Sequence, residues 1–383
     1  MQFTKKMIPL AGAMAFACAL AGTASAQVQV VKIGHVAPLS GPSAHLGKDN
    51  ENGARMAIDE LNAKGVTIGG KKVRFELLNE DDAADPKQGT AAATKLVDAK
   101  VNGVIGHLNS GTSIPASQIY STAGIPQISP SSTATKYTQQ GFKTTFRVVA
   151  NDGQLGATLG HYAADQLKAR KVAVIDDRTA YGQGVADEFV KGAKSKGVEI
   201  ITRQYTKADA TDFNAILTAI KAKKPDVVFF GGMDSVAGPM RLQMKALGIN
   251  AKMMGGDGIC TEALPKLAGD ALADGQVVCA EAGGVEAAQQ KDLDTWKAAY
   301  KKKFGMDTLL YGPYVYDAVM TMADAMQKAG SAEPAKYLPV LASIQHKGVT
   351  GMIAFDKNGD IKDGTLTLYT YKGGKREQLA VTK

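Results

Sequence analysis

The chain has 383 residues, of which 45% are hydrophobic and 21% are charged, and its net charge is +8 at pH 7. This length exceeds one ordinary domain and fits two. The basic residues are dispersed, with their longest run at residues 301–303, and aromatic side chains do not alternate with them. We therefore expect no nucleic-acid partner and interpret the charge as surface solubility.

Residues 1–26 are typical of a secretory signal peptide. A basic start at residues 5–6 precedes an apolar run over residues 7–20, and Ala24-Ser25-Ala26 fits a cleavage site. We predict export and cleavage after Ala26. A lipoprotein attached through Cys18 is the alternative, although the residues before it match that motif poorly. No later stretch reaches the roughly 18 apolar residues of a membrane span.

Strand and helix patterns then alternate along the chain. In a first series, strands are predicted at residues 31–36, 72–78, 103–105 and 125–128, and helices at 50–64, 87–99 and 114–122. In a second series, helices are predicted at 151–167, 181–196, 212–223 and 235–247, and strands at 171–175, 199–205, 226–230, 251–254 and 275–279. The chain ends with helices at 287–303, 314–328 and 334–343 and β-like segments at 352–355 and 366–371.

Repeated β-α units over this length predict an α/β protein with two doubly wound, Rossmann-like lobes. We expect joints near residues 145–151 and 279–284, and a third crossing late in the chain. Three crossings would make each lobe discontinuous, which suits a hinge. The predicted boundaries are residues 27–150 plus 281–360 for the first lobe and 151–280 plus 361–383 for the second.

Two clusters of small hydroxyl residues follow neighbouring strands of the first series. Residues 110–113 come after the strand at 103–105, and residues 129–133 follow the strand at 125–128. Ligands of parallel α/β sheets bind at the carboxyl ends of strands, and free N–H groups at a helix start favour an anion there. The stretch therefore predicts a carboxylate-sized anion site.

Motifs for catalysis, metals and cofactors are missing from the sequence. It has no G-x-S-x-G elbow, no H-E-x-x-H pair and no phosphate-binding loop. Residues 356–360 resemble the start of a calcium loop, but Ile361 and Thr367 stand where glycine and glutamate are required. We expect no enzyme activity, catalytic residue, metal or cofactor, and we interpret His107 as a packed, hydrogen-bonded histidine.

Asp257 follows the strand at 251–254 and is flanked by glycines. An acid at a strand end can pair with an ammonium group, whereas a turn aspartate is an equally good interpretation. Tyr181 opens a predicted helix and could close over a ligand or pack at the surface. Cys260 and Cys279 are the two cysteines left after cleavage, and in an exported protein they suggest a disulfide worth roughly 3 kcal/mol. Two buried free thiols are the alternative.

Taken together, these segments resemble the branched-chain amino-acid binding proteins of bacterial ABC importers. The resemblance spans essentially the whole mature chain, in segments at residues 34–47, 81–88, 105–120, 128–133, 177–184, 230–232, 254–258 and 359–366. It implies a type I periplasmic-binding fold with three hinge crossovers, a periplasmic location, an aliphatic L-amino acid as ligand and a membrane permease as partner. We expect a monomer.

The resemblance also implies a ligand site. The Ser110 hydroxyl and the hydroxyl and N–H of Thr133 would hold the ligand carboxylate, and the Ser131 carbonyl would accept from the ammonium. Asp257 would supply the opposite charge, Tyr181 would come from the second lobe, and Tyr311 would line the side-chain pocket.

The sequence departs from the family at the side-chain end of this site. Leu46 stands where an aromatic residue is frequent, and Met233 where some members have tyrosine. Some relatives also have a disulfide at the positions of Ala84 and Asn109, which this chain lacks. The order of preference among ligands therefore stays open. An aromatic amino acid, an amide or a short carboxylate is the alternative ligand, and an exported α/β enzyme the alternative function.

Overall fold

The computed structural model describes residues 1–4 and 28–382. The apolar run and the cleavage site of the predicted signal peptide lie outside these residues. Within them, no helix is both long and apolar enough to cross a membrane.

The first half of the chain builds a six-stranded sheet in the order β2-β3-β1-β4-β5-β6. Its strands are β1 (Gln29–Ala37), β2 (Thr67–Ile68), β3 (Lys71–Asp81), β4 (Gly103–Gly106), β5 (Gln127–Ser129) and β6 (Thr145–Arg147). Its helices are α1 (Ala44–Lys64), α2 (Pro86–Asp98), α3 (Ser110–Thr122) and α4 (Lys136–Gln139). All pairings are parallel except that of β2 with β3. β4 and β5 are buried throughout, as expected for strands covered on both faces.

The next segment builds a second parallel sheet. Its strands are β7 (Lys171–Asp176), β8 (Glu199–Tyr205), β9 (Val227–Gly231), β10 (Lys252–Gly255) and β11 (Val277–Glu281). Its helices are α5 (Asp152–Asp165), α6 (Ala180–Ser195), α7 (Asn214–Ala222), α8 (Asp234–Ala246) and α9 (Leu264–Ala268).

The last hundred residues add helices to the first lobe, two strands to the second sheet and a separate two-stranded sheet. They form α10 (Gln290–Phe304), α11 (Gly312–Ala329), α12 (Pro334–Ala342), β12 (His346–Lys347), β13 (Met352–Ile353), β14 (Leu366–Lys372) and β15 (Lys375–Thr382). α11 returns to the first lobe, where it packs on α1. β14 and β15 extend the second sheet, whose order is β15-β14-β11-β10-β9-β7-β8. β14 pairs antiparallel with β11.

The chain therefore passes between the sheets three times, after β6, after β11 and before β14. This confirms the predicted fold of two doubly wound lobes joined by a three-segment hinge. We call the unit around the first sheet the first lobe and the unit around the second sheet the second lobe.

Two helices begin earlier than the sequence pattern predicted. α1 begins at Ala44 instead of residue 50, and α3 at Ser110 instead of residue 114. The first turns of α1 contain Gly47, a poor helix former, but a Cβ there would lie 1.8 Å from the Pro38 carbonyl oxygen. Close packing thus overrides propensity. As a result, Leu46 and Ser110 lie in the first turns of helices.

Candidate functional site

The two hydroxyl clusters lie together at the carboxyl ends of β4 and β5. Ser110 is the first residue of α3, and Ser131 and Thr133 follow β5. All three are buried. Ser110 Oγ accepts a hydrogen bond from the Ala134 N–H at 3.2 Å, so its own O–H is free to donate. The Thr133 hydroxyl has no partner among the described residues. These hydroxyls and the start of α3 favour an anion.

His107 holds the two clusters side by side. Its carbonyl accepts hydrogen bonds from Ser113 at 3.0 Å and from Ser129 at 2.9 Å. Its ring is buried between Asp82 and the Tyr120 hydroxyl, each at 3.0 Å. The ring is thus fixed on both sides, as expected for the packed, hydrogen-bonded histidine that the sequence suggested.

Arg147 fixes the backbone on both sides of Thr133. This arginine is fully buried, and its guanidinium donates to the carbonyls of Ser132 at 2.7 Å and Ala134 at 3.0 Å. Asp360, in the third crossing, pairs with it. Sequence analysis missed this pair, because its members lie 213 positions apart. The hinge is thereby connected to the residue proposed to bind an anion.

Asp152 places an unexpected acid against Thr133. Its N–H donates to the Thr133 carbonyl at 2.8 Å, at the start of the second lobe. Its carboxyl group is buried, and neither oxygen makes a hydrogen bond of normal geometry within the described part of the chain. Burial raises its pKa well above the usual range, and the charge of Asp257 adds to that effect. The charged form of Asp152 is therefore disfavoured in the folded protein.

The opposite wall of the site is built around Asp257. This residue begins a short 3-10 turn after β10 and is 1% exposed. Its Oδ2 accepts a hydrogen bond from Tyr311, a first-lobe residue, at 2.8 Å, while its Oδ1 has no partner among the residues described. Burial raises the pKa of Asp257 to about 6, although the hydroxyls of Tyr311 and Tyr181 act in the opposite direction. The free oxygen is a ready acceptor for a cation.

Tyr181 and the disulfide hold the turn that carries Asp257. The Tyr181 hydroxyl accepts a hydrogen bond from the Gly258 N–H at 2.9 Å. Cys260 closes the turn and is bonded to Cys279 in β11, with their Cα atoms 5.3 Å apart. Both cysteines are fully buried. The predicted disulfide is confirmed, and it ties the acid's turn to the second sheet.

Between the two walls lies a narrow space. It is lined by Leu108, Asn109, Ser110, Ser131, Tyr181, Met233, Asp257 and Tyr311. Six of the eight residues predicted for the site are in this set. Thr133 and Leu46 are not, although both are fully buried. Of the three residues predicted at the side-chain end, Met233 and Tyr311 line the space and Leu46 does not.

The site therefore has hydrogen-bond donors on one side of a narrow space and an acid on the other. That arrangement is complementary to a zwitterion. Across residues 1–4 and 28–382, no group of three or more His, Cys, Asp or Glu side chains is arranged to hold a metal ion.

The sequence matches a known protein family over most of its length. The profile of a family described as periplasmic binding protein matches residues 30–375. The Leu/Ile/Val-binding protein homolog 1 of Brucella abortus (strain 2308) is 37% identical over 366 residues, covering 94% of this chain and 95% of the relative. The resemblance inferred from the sequence is thereby confirmed.

Two solved structures share the fold. The leucine binding protein LivK of Thermotoga maritima MSB8 has a TM-score of 0.84 at 26% identity, covering 92% of this chain and 98% of that chain. The branched-chain amino acid transporter substrate binding protein LivJ of Streptococcus pneumoniae, solved with isoleucine, has a TM-score of 0.82 at 28% identity, covering 92% and 99%.

Proposed function

The chain belongs to the periplasmic binding protein family, and from this premise we propose that it captures a free branched-chain aliphatic L-amino acid between its lobes and delivers it to the permease of an ABC importer. Leucine, isoleucine and valine are the ligands named for its relatives. The ligand leaves chemically unchanged, so the protein is a carrier and not an enzyme.

One observation carries this proposal. Two buried polar groups have no hydrogen-bond partner within residues 28–382. One is the Thr133 hydroxyl, which can donate a hydrogen bond, and the other is Oδ1 of Asp257, which accepts one. Leaving such groups unsatisfied costs about 1–3 kcal/mol each. An α-amino acid satisfies both at once, because its carboxylate accepts from Thr133 and Ser110 while its ammonium donates to Asp257 and to the Ser131 carbonyl.

The rest of the site selects the side chain. Met233 lines the cavity, so the ligand's side chain meets an apolar, deformable group. A difference of one methylene in such a pocket is worth about 1–3 kcal/mol. We therefore expect leucine, isoleucine and valine to bind with affinities within about two orders of magnitude.

Export and delivery follow from the same premise. We propose that residues 1–26 direct the chain to the periplasm and are removed after Ala26. The protein then acts as a monomer whose first lobe comprises residues 27–150 plus 281–360 and whose second lobe comprises residues 151–280 plus 361–383. The closed pair of lobes is the surface that the permease recognises.

A thermal-shift screen of ligand-stripped protein against all amino acids tests the proposal. We expect leucine, isoleucine and valine to raise the melting temperature, because a ligand that binds only the folded state stabilises it. Aromatic amino acids, amides and short carboxylates serve as comparison ligands. Stabilisation by one of these classes, with none by the three aliphatic amino acids, would contradict the proposed ligand.

A further inference from the structure

A second contact joins the lobes beside the ligand cavity. His45 lies in the first turn of α1 in the first lobe, and Asp234 is the first residue of α8 in the second. The Nε2 atom of His45 is 3.0 and 2.9 Å from the two carboxylate oxygens of Asp234. The Asp234 side chain is fully buried, while that of His45 is 29% exposed. The pair therefore spans the cleft itself.

Asp234 has polar partners besides His45. The Thr261 hydroxyl donates to Oδ2 at 2.6 Å, and the start of α8 adds a favourable helix dipole. Tyr311 and Tyr371 lie within electrostatic reach, but burial raises the pKa of each hydroxyl, so both are neutral at physiological pH. A carboxyl group buried between the lobes is stabilised by a cationic partner.

His45 is suited to be that cation. Burial lowers its pKa, but the hydrogen bond and charge of Asp234, the Pro42 carbonyl and the charge of Asp49 outweigh burial and raise the pKa above its ordinary value. Asp49, one turn further along α1, is itself held by the hydroxyls of Tyr300 and Thr308. The net charge of the two side chains thus changes when His45 gains or loses a proton.

We propose that His45 and Asp234 are positioning residues for ligand capture. Their ion pair forms as the lobes close and holds the neighbouring residue Met233 against the cavity that it lines. This inference rests on the proposed function, because it requires lobes that open and close around an amino acid.

Ligand affinity should therefore depend on pH, and the direction of the change follows from the protonation of His45. Closure favours protonated His45, so the pair contributes fully below the ordinary histidine pKa of about 6.5. The contribution of the pair to binding is lost as the pH rises through the higher pKa that His45 has in the closed state. Affinity should therefore fall on the alkaline side.

Calorimetric titration with L-leucine tests this on wild type, His45→Gln, Asp234→Asn and the double variant. We expect His45→Gln to weaken binding about ten-fold near pH 6.5, since Thr261 and the helix start still offset part of the buried charge. Near pH 8.5 wild type and His45→Gln should converge. The double variant should bind no more weakly than the weaker single variant, because the two residues act as one unit. His161→Gln, a histidine on the exposed face of α5, is the matched control.

Proton NMR of the His45 ring separates this inference from the proposed function. Its pKa should lie higher in the wild type than in Asp234→Asn, and the His45→Gln spectrum assigns the signal. If leucine binds but His45→Gln has wild-type affinity at both pH values, the inference is wrong and the proposed function stands. If no amino acid binds, the proposed function fails, and equal His45 pKa values in wild type and Asp234→Asn would overturn the inference as well.

Discussion

The hydroxyl of Tyr311, at the start of α11, donates a hydrogen bond to Oδ2 of Asp257 across the cleft at 2.8 Å. The first lobe therefore orients the acid of the second, whose Oδ1 has no partner among the described residues. Tyr311 was predicted to line the side-chain pocket. It does line the cavity, and its hydroxyl also fixes the group proposed to bind the ligand's ammonium.

Asp257→Asn should weaken leucine binding by ten-fold or more. The amide keeps the shape of the carboxyl group but removes its charge, and the buried ammonium of the ligand is left without a counter-ion. Calorimetry near pH 7.5 measures the change. Asp209→Asn, at an exposed position of the second lobe, is the matched control. Equal affinities for Asp257→Asn and wild type would remove Asp257 from the site.

Leucine affinity of the wild type should fall as the solution becomes acidic. Burial between the lobes raises the pKa of Asp257 to about 6. The ligand's ammonium favours the ionised carboxylate, so binding must expel the proton below that value. The dissociation constant should rise by about ten-fold for each pH unit below 6. Asp257→Asn should show no such rise, and an identical acidic limb in that variant would assign the titration to another group.

Asp152→Asn should retain leucine binding within about three-fold, since burial already disfavours the charge of this carboxyl group and the amide keeps its shape. It should also raise the melting temperature near pH 8. The unfolded chain ionises this aspartate above a pKa of about 3.9 whereas the folded protein resists ionisation, so stability is lost as the pH rises. Near pH 4 the two proteins should melt closer together. A ten-fold loss of affinity would show instead that Asp152 acts as a charge in the site.

Arg147→Met should destabilise the protein by about 3–5 kcal/mol, because it leaves Asp360 and two carbonyls without their buried partner. Urea unfolding followed by circular dichroism measures the change. A second effect distinguishes this position from an ordinary core residue. Arg147→Lys keeps the charge but loses the two N–H groups that donate to the Ser132 and Ala134 carbonyls together. It should weaken leucine binding and destabilise the protein less than Arg147→Met does. Wild-type affinity in Arg147→Lys would contradict a link between the hinge and Thr133.

Replacing both cysteines, Cys260→Ala with Cys279→Ala, should cost roughly 3 kcal/mol of unfolding free energy in the chain-entropy model. The bond closes a loop with a sequence separation of 19. The turn carrying Asp257 keeps its hydrogen bond to Tyr181, so leucine affinity should change by less than about three-fold. The unreduced wild type should contain no alkylatable thiol in the mature chain, and two alkylated thiols would contradict the disulfide.

Local patterns predicted the parts of the site that each lie within one segment. The hydroxyl clusters, Asp257 and the cysteine pair stood out because small residues and glycines at strand ends are visible in the sequence. The early start of α1 could not be predicted, because glycine is a poor helix former. Its close approach to the Pro38 backbone, which requires glycine at position 47, appears only in the folded structure.

The supporting network also escaped sequence analysis. His107 with Asp82 and Arg147 with Asp360 join segments that only the folded sheet brings together. A sequence shows which side chains could bind a ligand, whereas the buried partners that orient them depend on the long-range topology.

Recognition of both ends of an α-amino acid is the central claim, and calorimetry with trimmed ligands tests it most directly. L-leucine is compared with 4-methylpentanoic acid, which lacks the amino group, and with 3-methylbutylamine, which lacks the carboxylate. Each analogue leaves one buried group of the site unsatisfied, so we expect each to bind at least about one hundred-fold more weakly than leucine. Binding of either analogue with the affinity of leucine would contradict the account.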